Sequence, residues 1–260
     1  MANIAWASEE GVASAMPEIS IKAEGLFHVG PLEVTNSILL GSITALLLLF
    51  VAILVNRSIK QVPGKLQSMF ELFMEGALSL MDGILGSRDK SERYLPIVGS
   101  IFFFILFSNW LGLLPLSQIV LGHVPVFRAP TADLNFTIAM AIISVLSVNI
   151  LGVVAIGLKG HFGKFFNFGK PFPIMLFVGM LELISEFVKI VSFSFRLFGN
   201  IFAGEVLLTI IAFIVPYWAS FVVPLPFLFL EVFVGLIQAL IFSMLTLVFL
   251  GMSTVAHGEH

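Results

Sequence analysis

From Pro173 to Val215 the chain runs for 43 residues with no internal proline and only five ionisable side chains. As one helix, at 1.5 Å per residue, this tract would be about 65 Å long, roughly twice the hydrocarbon core of a bilayer. A second tract, Pro226–Ala256, covers 31 residues and would reach about 46 Å at the same rise. Runs of this length have either a very large protein core or lipid as their solvent. Composition decides between the two. Only 11% of the residues are charged and 58% are hydrophobic, whereas a soluble domain carries about 25% charged residues. Such a chain has too little polar surface to face water. Both tracts overshoot the bilayer and are expected to lie obliquely, curve or break. Their adjacency suggests a tilted hairpin turning through PYWASFVVPLP, where Tyr217 and Trp218 suit a membrane interface.

Three shorter segments meet the requirement of about 20 apolar residues for a span: Asn36–Val55, Leu95–Leu114 and Leu134–Leu158. Leu66–Leu85 differs, since Glu71, Glu75 and Asp82 interrupt it while its apolar residues keep helical spacing. That pattern predicts an amphipathic helix in the interface. The expected fold is an all-α integral membrane protein. It has five membrane-crossing helices plus one interfacial amphipathic helix, the last two spans being long, tilted and paired. Residues 1–35 read as a polar, acidic outer segment and 36–260 as a single membrane domain. The first apolar run begins too far in, and is too long, for a signal peptide. Nine Lys and Arg residues (Arg57, Lys60, Lys65, Arg88, Lys90, Arg93, Lys159, Lys164 and Lys170) fall on one side of these spans, against Lys22 and Arg128 on the other. The positive-inside rule then places the amino terminus outside and the carboxyl terminus inside.

Ionisable groups within a span cost about 2.5–3.5 kcal/mol each on insertion scales and usually face a bundle interior or a wet cavity. The first long tract holds Glu182, Glu186, Lys189, Arg196 and Glu205. On a helical wheel Glu182, Ser185, Glu186, Lys189, Ser192, Arg196 and Asn200 fall in one stripe roughly 120° wide. Glu205 lies off it, about 13 Å along the axis from Arg196, so Arg196 has no same-face acid within a turn. Glu186 and Lys189 suit a static i,i+3 pair, and Lys189 equally suits snorkelling to the interface. In the second tract Glu231 and Gln238, two turns apart, share a face. If the tracts pair antiparallel, Glu205 and Glu231 lie at similar depth, which suits a proton relay and is awkward for a scaffold. Asp133 reads equally as a helix N-cap and as the lining of a polar path, with Asn135 beside it. Asn109 is a weak signal, and His123 reads as a solvated loop residue.

The remaining motifs exclude whole classes of function. There is no Cys, hence no disulfide and no thiol chemistry. No HExxH, P-loop, GxSxG or dinucleotide-binding pattern is present. His161, His257 and His260 lack ligand spacing, so no metal or cofactor is expected, and nothing points to nucleic acid.

The segment FRLFGNIFAGE, from Phe195 to Glu205, closely resembles the signature of subunit a of F-type ATP synthases. GLLP at Gly112–Pro115, PTADLN at Pro130–Asn135 and LIQALIFSMLTLVFLGM at Leu236–Met252 resemble the same family in the same order. The resemblance covers nearly all of the chain after about residue 25. It implies a non-catalytic, proton-conducting stator subunit of the Fo sector in a bacterial inner membrane, with two offset half-channels against a rotating c-ring. The partners it implies are the c-ring, the peripheral-stalk b subunits, the remaining ATP synthase subunits and membrane lipid. Arg196 takes the place of the family's essential arginine. Asn200, Glu205, Glu231 and Gln238 match positions of the outer half-channel, with Asp133 and Asn135 along it; Glu231 stands where relatives carry Glu or His. Glu182, Ser185 and Lys189 match the inner half-channel. An ion-coupled secondary transporter is the rival reading. It should show related halves, and no repeat is evident.

Overall fold

The computed structural model describes residues 22–30, 32–58, 64–114, 120–121, 124–163, 172–216, 219 and 222–254. Its helices are α1 (Asn36–Ser58), α2 (Lys65–Leu85), α3 (Arg88–Gly112), α4 (Leu134–Gly163), α5 (Phe172–Ile214) and α6 (Pro224–Ser253). All but α2 are long and apolar enough to cross a membrane, so the expected five spans and one amphipathic helix are present. Lipid offers no hydrogen bonds, so each span satisfies its own backbone as a helix.

Several boundaries differ from expectation. Helix α3 begins at Arg88, seven residues ahead of the apolar run, and passes through Pro96. The apolar run marks the part in hydrocarbon; beyond it, charges fasten the helix to α2. Arg88 holds Glu75 at 2.7 Å, Asp82 at 3.1 Å and Glu92 at 3.1 Å. Two of the acids that interrupt α2 therefore serve its turn into α3. Helix α4 carries a break at Gly157, whose φ of 79° is a left-handed value that glycine adopts freely. The hairpin turn is entered through Val215 and Pro216, and Pro224 opens α6, where its missing N–H costs nothing. Tyr217, Trp218, His123, Lys60, Lys164, Lys170, His257 and His260 lie outside the described residues.

Two short ribbons accompany the helices. Strands β1 (Gly25–Val29) and β2 (Leu32–Thr35) form an antiparallel hairpin, and β3 (Val120–Leu121) pairs with β4 (Val124–Pro125). The alternation in LFHV and LEVT is only four residues long, too short a pattern to announce a strand. The hairpin is tied to the first span where the Asn36 N–H donates to the Glu24 carbonyl at 3.0 Å.

Helix α6 is central, packed against α2, α3, α4 and α5, while α1 touches mainly α3 and the turn Pro130–Ala132. Ile101, Ile105 and Leu106 of α3, Ala141 of α4, Phe193 and Leu197 of α5, and Ala239 and Phe242 of α6 form the main cluster. Lipid tails are as apolar as these side chains, so association rests on close packing and interhelical hydrogen bonds rather than on escape from water. The Phe193 ring lies 4.8 Å from that of Phe242 and 5.7 Å from that of Phe249. Phe193→Ala is expected to cost on the order of 3 kcal/mol, read as a lower unfolding midpoint of the subunit in mixed micelles. Phe195→Ala, on the exposed side of the same helix, should leave that midpoint nearly unchanged.

Candidate functional site

Helices α5 and α6 run antiparallel along a polar seam. Asn200 Nδ2 donates to Gln238 Oε1 at 2.8 Å. One turn further along α5, Gly204 faces the carboxyl group of Glu231 on α6. Numbers rise on α5 as they fall on α6, so the two tracts meet as the paired hairpin requires. A Cβ on Gly204 would overlap the whole Glu231 carboxyl group; only glycine admits this approach. Glu231 and Gln238 are 4% and 1% exposed, and Glu231 Oε1 and Gln238 Nε2 have no hydrogen-bond partner among the described residues. Buried polar atoms of this kind are normally satisfied by water. Gly204→Ala is expected to displace Glu231 and lower the stability of the subunit by about 1–3 kcal/mol, the cost of overpacking a tight contact. The unfolding midpoint of the subunit in mixed micelles measures this.

The seam is braced from α3 and the loop before α4. Asn109 Nδ2 donates to the Gly235 carbonyl at 3.1 Å and Trp110 Nε1 to the Val232 carbonyl at 3.2 Å. Thr131 Oγ1 donates to Asn109 Oδ1 at 2.6 Å. Asn109, a weak signal in the sequence, thus fixes the depth and rotation of α6 beside Glu231. Nearer the other end, the hydroxyls of Ser144 on α4 and Thr246 on α6 meet at 2.8 Å.

Glu205 turns elsewhere. It accepts from Arg128 Nε at 3.3 Å, and Arg128 Nη1 donates to the Lys22 carbonyl at 3.1 Å. In the sequence Arg128 is legible only as a loop charge. Its signal was slight: a lone basic residue just before Pro130, on the side of the membrane poor in them.

The stripe on α5 divides into two directions. Glu186 and Lys189 pair at 2.8 Å, with side chains 15% and 19% exposed. Asn149 of α4 donates to Glu186 at 3.2 Å, and Lys189 Nζ lies 4.6 Å from the centre of the Phe249 ring. Lys189 therefore faces the bundle and does not snorkel. Glu182 and Ser185 are half-buried. Arg196 points outward: it is exposed, and its Nη2 donates to Ser192 Oγ at 3.4 Å. Among the described residues no carboxylate forms an ion pair with it. The wheel placed these groups on one side because it treats the helix surface as a single face, whereas α4 and α6 cover only part of it.

Asp133, buried at 5%, accepts the Asn135 N–H at 3.0 Å through its carboxylate, and its carbonyl accepts the Thr137 N–H at 3.0 Å. This is N-cap geometry for α4. The Asn135 side chain is exposed.

Comparison with known proteins gives one consistent result. The model of the ATP synthase A chain family matches residues 38–251. An ATP synthase subunit a of Moorella thermoacetica is 35% identical over 90% of this chain and 96% of its own length. One from Campylobacter jejuni is 35% identical over 90% and 91%. One from Gloeobacter violaceus is 34% identical over 90% of each.

Proposed function

The chain belongs to the ATP synthase A chain family, and from that premise we propose that it is the proton-conducting stator of a rotary ATP synthase, forming two offset half-channels against a ring of c subunits. It is a multi-pass membrane subunit that carries no catalytic chemistry of its own, and it works in a complex with the other ATP synthase subunits.

The observation that carries the reading is Arg196. An arginine cannot shed its proton in a protein, and a bare charge against lipid is expensive. Yet this guanidinium is exposed on the outer side of α5 and, among the described residues, meets only a hydroxyl from its own helix. Its missing counter-charge belongs to another chain. A carboxylate on a passing c subunit supplies it: neutral in lipid, it loses its proton on meeting the fixed cation. At about 4 Å and an effective dielectric near 20 the attraction is about 4 kcal/mol.

In this reading the seam of Asn200, Glu205, Glu231 and Gln238 brings protons from the amino-terminal side to the ring, with Asp133 and Asn135 at its wall. Glu182, Ser185 and Lys189 line the exit on the opposite side. Arg196 stands between, so a proton crosses only by riding the ring around. Each charge falls through about 2.3 kcal/mol per 100 mV. The 43-residue α5, longer than a bilayer is thick, suits a surface that follows a curved ring. Peripheral-stalk b subunits would hold it still. The membrane would be a bacterial inner membrane, with the amino terminus outside and the carboxyl terminus in the cytoplasm. The deciding experiment purifies the chain with its native partners from that membrane: a c-ring and a catalytic head co-purify, whereas transport by the isolated chain would overturn the reading.

A further inference from the structure

Arg128 is the feature that the half-channel reading leaves unused. Its side chain is 6% exposed, while that of its partner Glu205 is 40% exposed. A buried guanidinium is costly unless every side of it is answered. Here Nε meets the Glu205 carboxylate, Nη1 meets the Lys22 carbonyl, and the plane lies 5.8 Å from the centre of the Phe202 ring. The planar fork of arginine supports these directions together. Three remote parts of the chain converge on it: the segment leading into β1, the loop before α4, and α5. Among the described residues, Arg128 pairs with Glu205, and the Glu231 carboxyl of α6 faces Gly204, the residue beside it.

We propose that Arg128 is a positioning residue for proton transfer at Glu205, holding its carboxylate in one place and, through the Lys22 carbonyl, making the amino-terminal hairpin part of the wall of the same path. This rests on the reading of Glu205 as a carrier in a proton path. A carboxylate that hands on protons must stay within reach of both donor and acceptor. On a 43-residue helix with a half-open side chain, nothing on α5 itself supplies that restraint; the buried cation does. Purely mechanical fastening of the hairpin would need only the Lys22 contact, and a neutral donor would serve it.

The test uses the complete ATP synthase in proteoliposomes, with ATP-driven proton pumping and passive proton flux as readouts and co-purification as the check on assembly. Arg128→Gln is expected to lower both fluxes about tenfold, the scale of one charge-assisted hydrogen bond. Arg128→Lys should recover flux to within about threefold of the parent, because the charge is kept and the fork lost. The double variant Arg128→Gln with Glu205→Gln should be no slower than Glu205→Gln alone, since the two groups act as one unit. Parental flux in Arg128→Gln, or losses that multiply in the double variant, would overturn the inference. If Arg128→Gln does not assemble, Arg128→Lys decides: near-parental flux supports the role, and a loss as large as that of Glu205→Gln rejects it. Arg196→Ala runs beside them. Blocked pumping there with normal Arg128→Gln flux rejects this inference alone, whereas normal pumping in Arg196→Ala rejects the half-channel reading and this inference with it.

Discussion

Arg196→Ala is expected to abolish ATP-driven proton pumping and to leave the complex assembled. The side chain is exposed and, among the described residues, bonded only to Ser192 of its own helix at 3.4 Å, so its removal empties no packed core and strands no buried acid. Assembly should survive, judged by the yield of co-purified subunits. Function should not. An attraction of about 4 kcal/mol at an effective dielectric of 20 biases a ring carboxylate towards its charged form by roughly a thousandfold. Without it, in the proposed mechanism, the carboxyl keeps its proton past the stator, and nothing bars protons from passing directly between the two half-channels. Pumping measured by a pH-sensitive dye should fall to background while ATP hydrolysis by the catalytic head persists. Coupled pumping at the parental rate would show that the counter-charge does not come from another chain.

The second large effect concerns the two acids at the hairpin end. Glu205→Gln combined with Glu231→Gln should cut proton flux roughly a hundredfold, the lower range for losing positioned proton-transfer groups, while each single change costs far less. The reason is geometric. The Glu231 carboxyl faces Gly204, the residue next to Glu205, so either acid remains near the path when the other is neutralised. Small, additive effects would argue that both serve packing. The double variant also deprives Arg128 of its carboxylate, and a buried charge without its partner costs about 3–5 kcal/mol. Flux must therefore be normalised to assembled complex.

Much of the architecture was legible because lipid is an unforgiving solvent. Asn36–Val55 and Leu134–Leu158 could be read as spans from length alone, and α1 and α4 contain them. The start of α3 was not legible, because Arg88 continues the helix through its pairs with Glu75, Asp82 and Glu92. An apolar window does not register such charges. The hairpin of β1 and β2 was missed for a similar reason: four-residue alternation carries little signal until the Glu24 carbonyl is seen to anchor Asn36.

For the site, the sequence by itself determined which polar groups enter the membrane and roughly how deep. It singled out Arg196, and it ruled out any same-helix acid near it, because axial rise and rotation per residue are fixed by the helix. Only the tertiary structure decided who meets whom. Glu205 meets Arg128, 77 residues away; Asn200 meets Gln238; Glu186 meets Asn149; and Gly204 gives its space to Glu231. These meetings depend on how far each helix is rotated and slid against its neighbours. In lipid that is set by close packing summed over whole faces, with no local pattern to announce it. The helix determines what Arg196 lacks within its own turn; the bundle determines that none of the described residues supplies it.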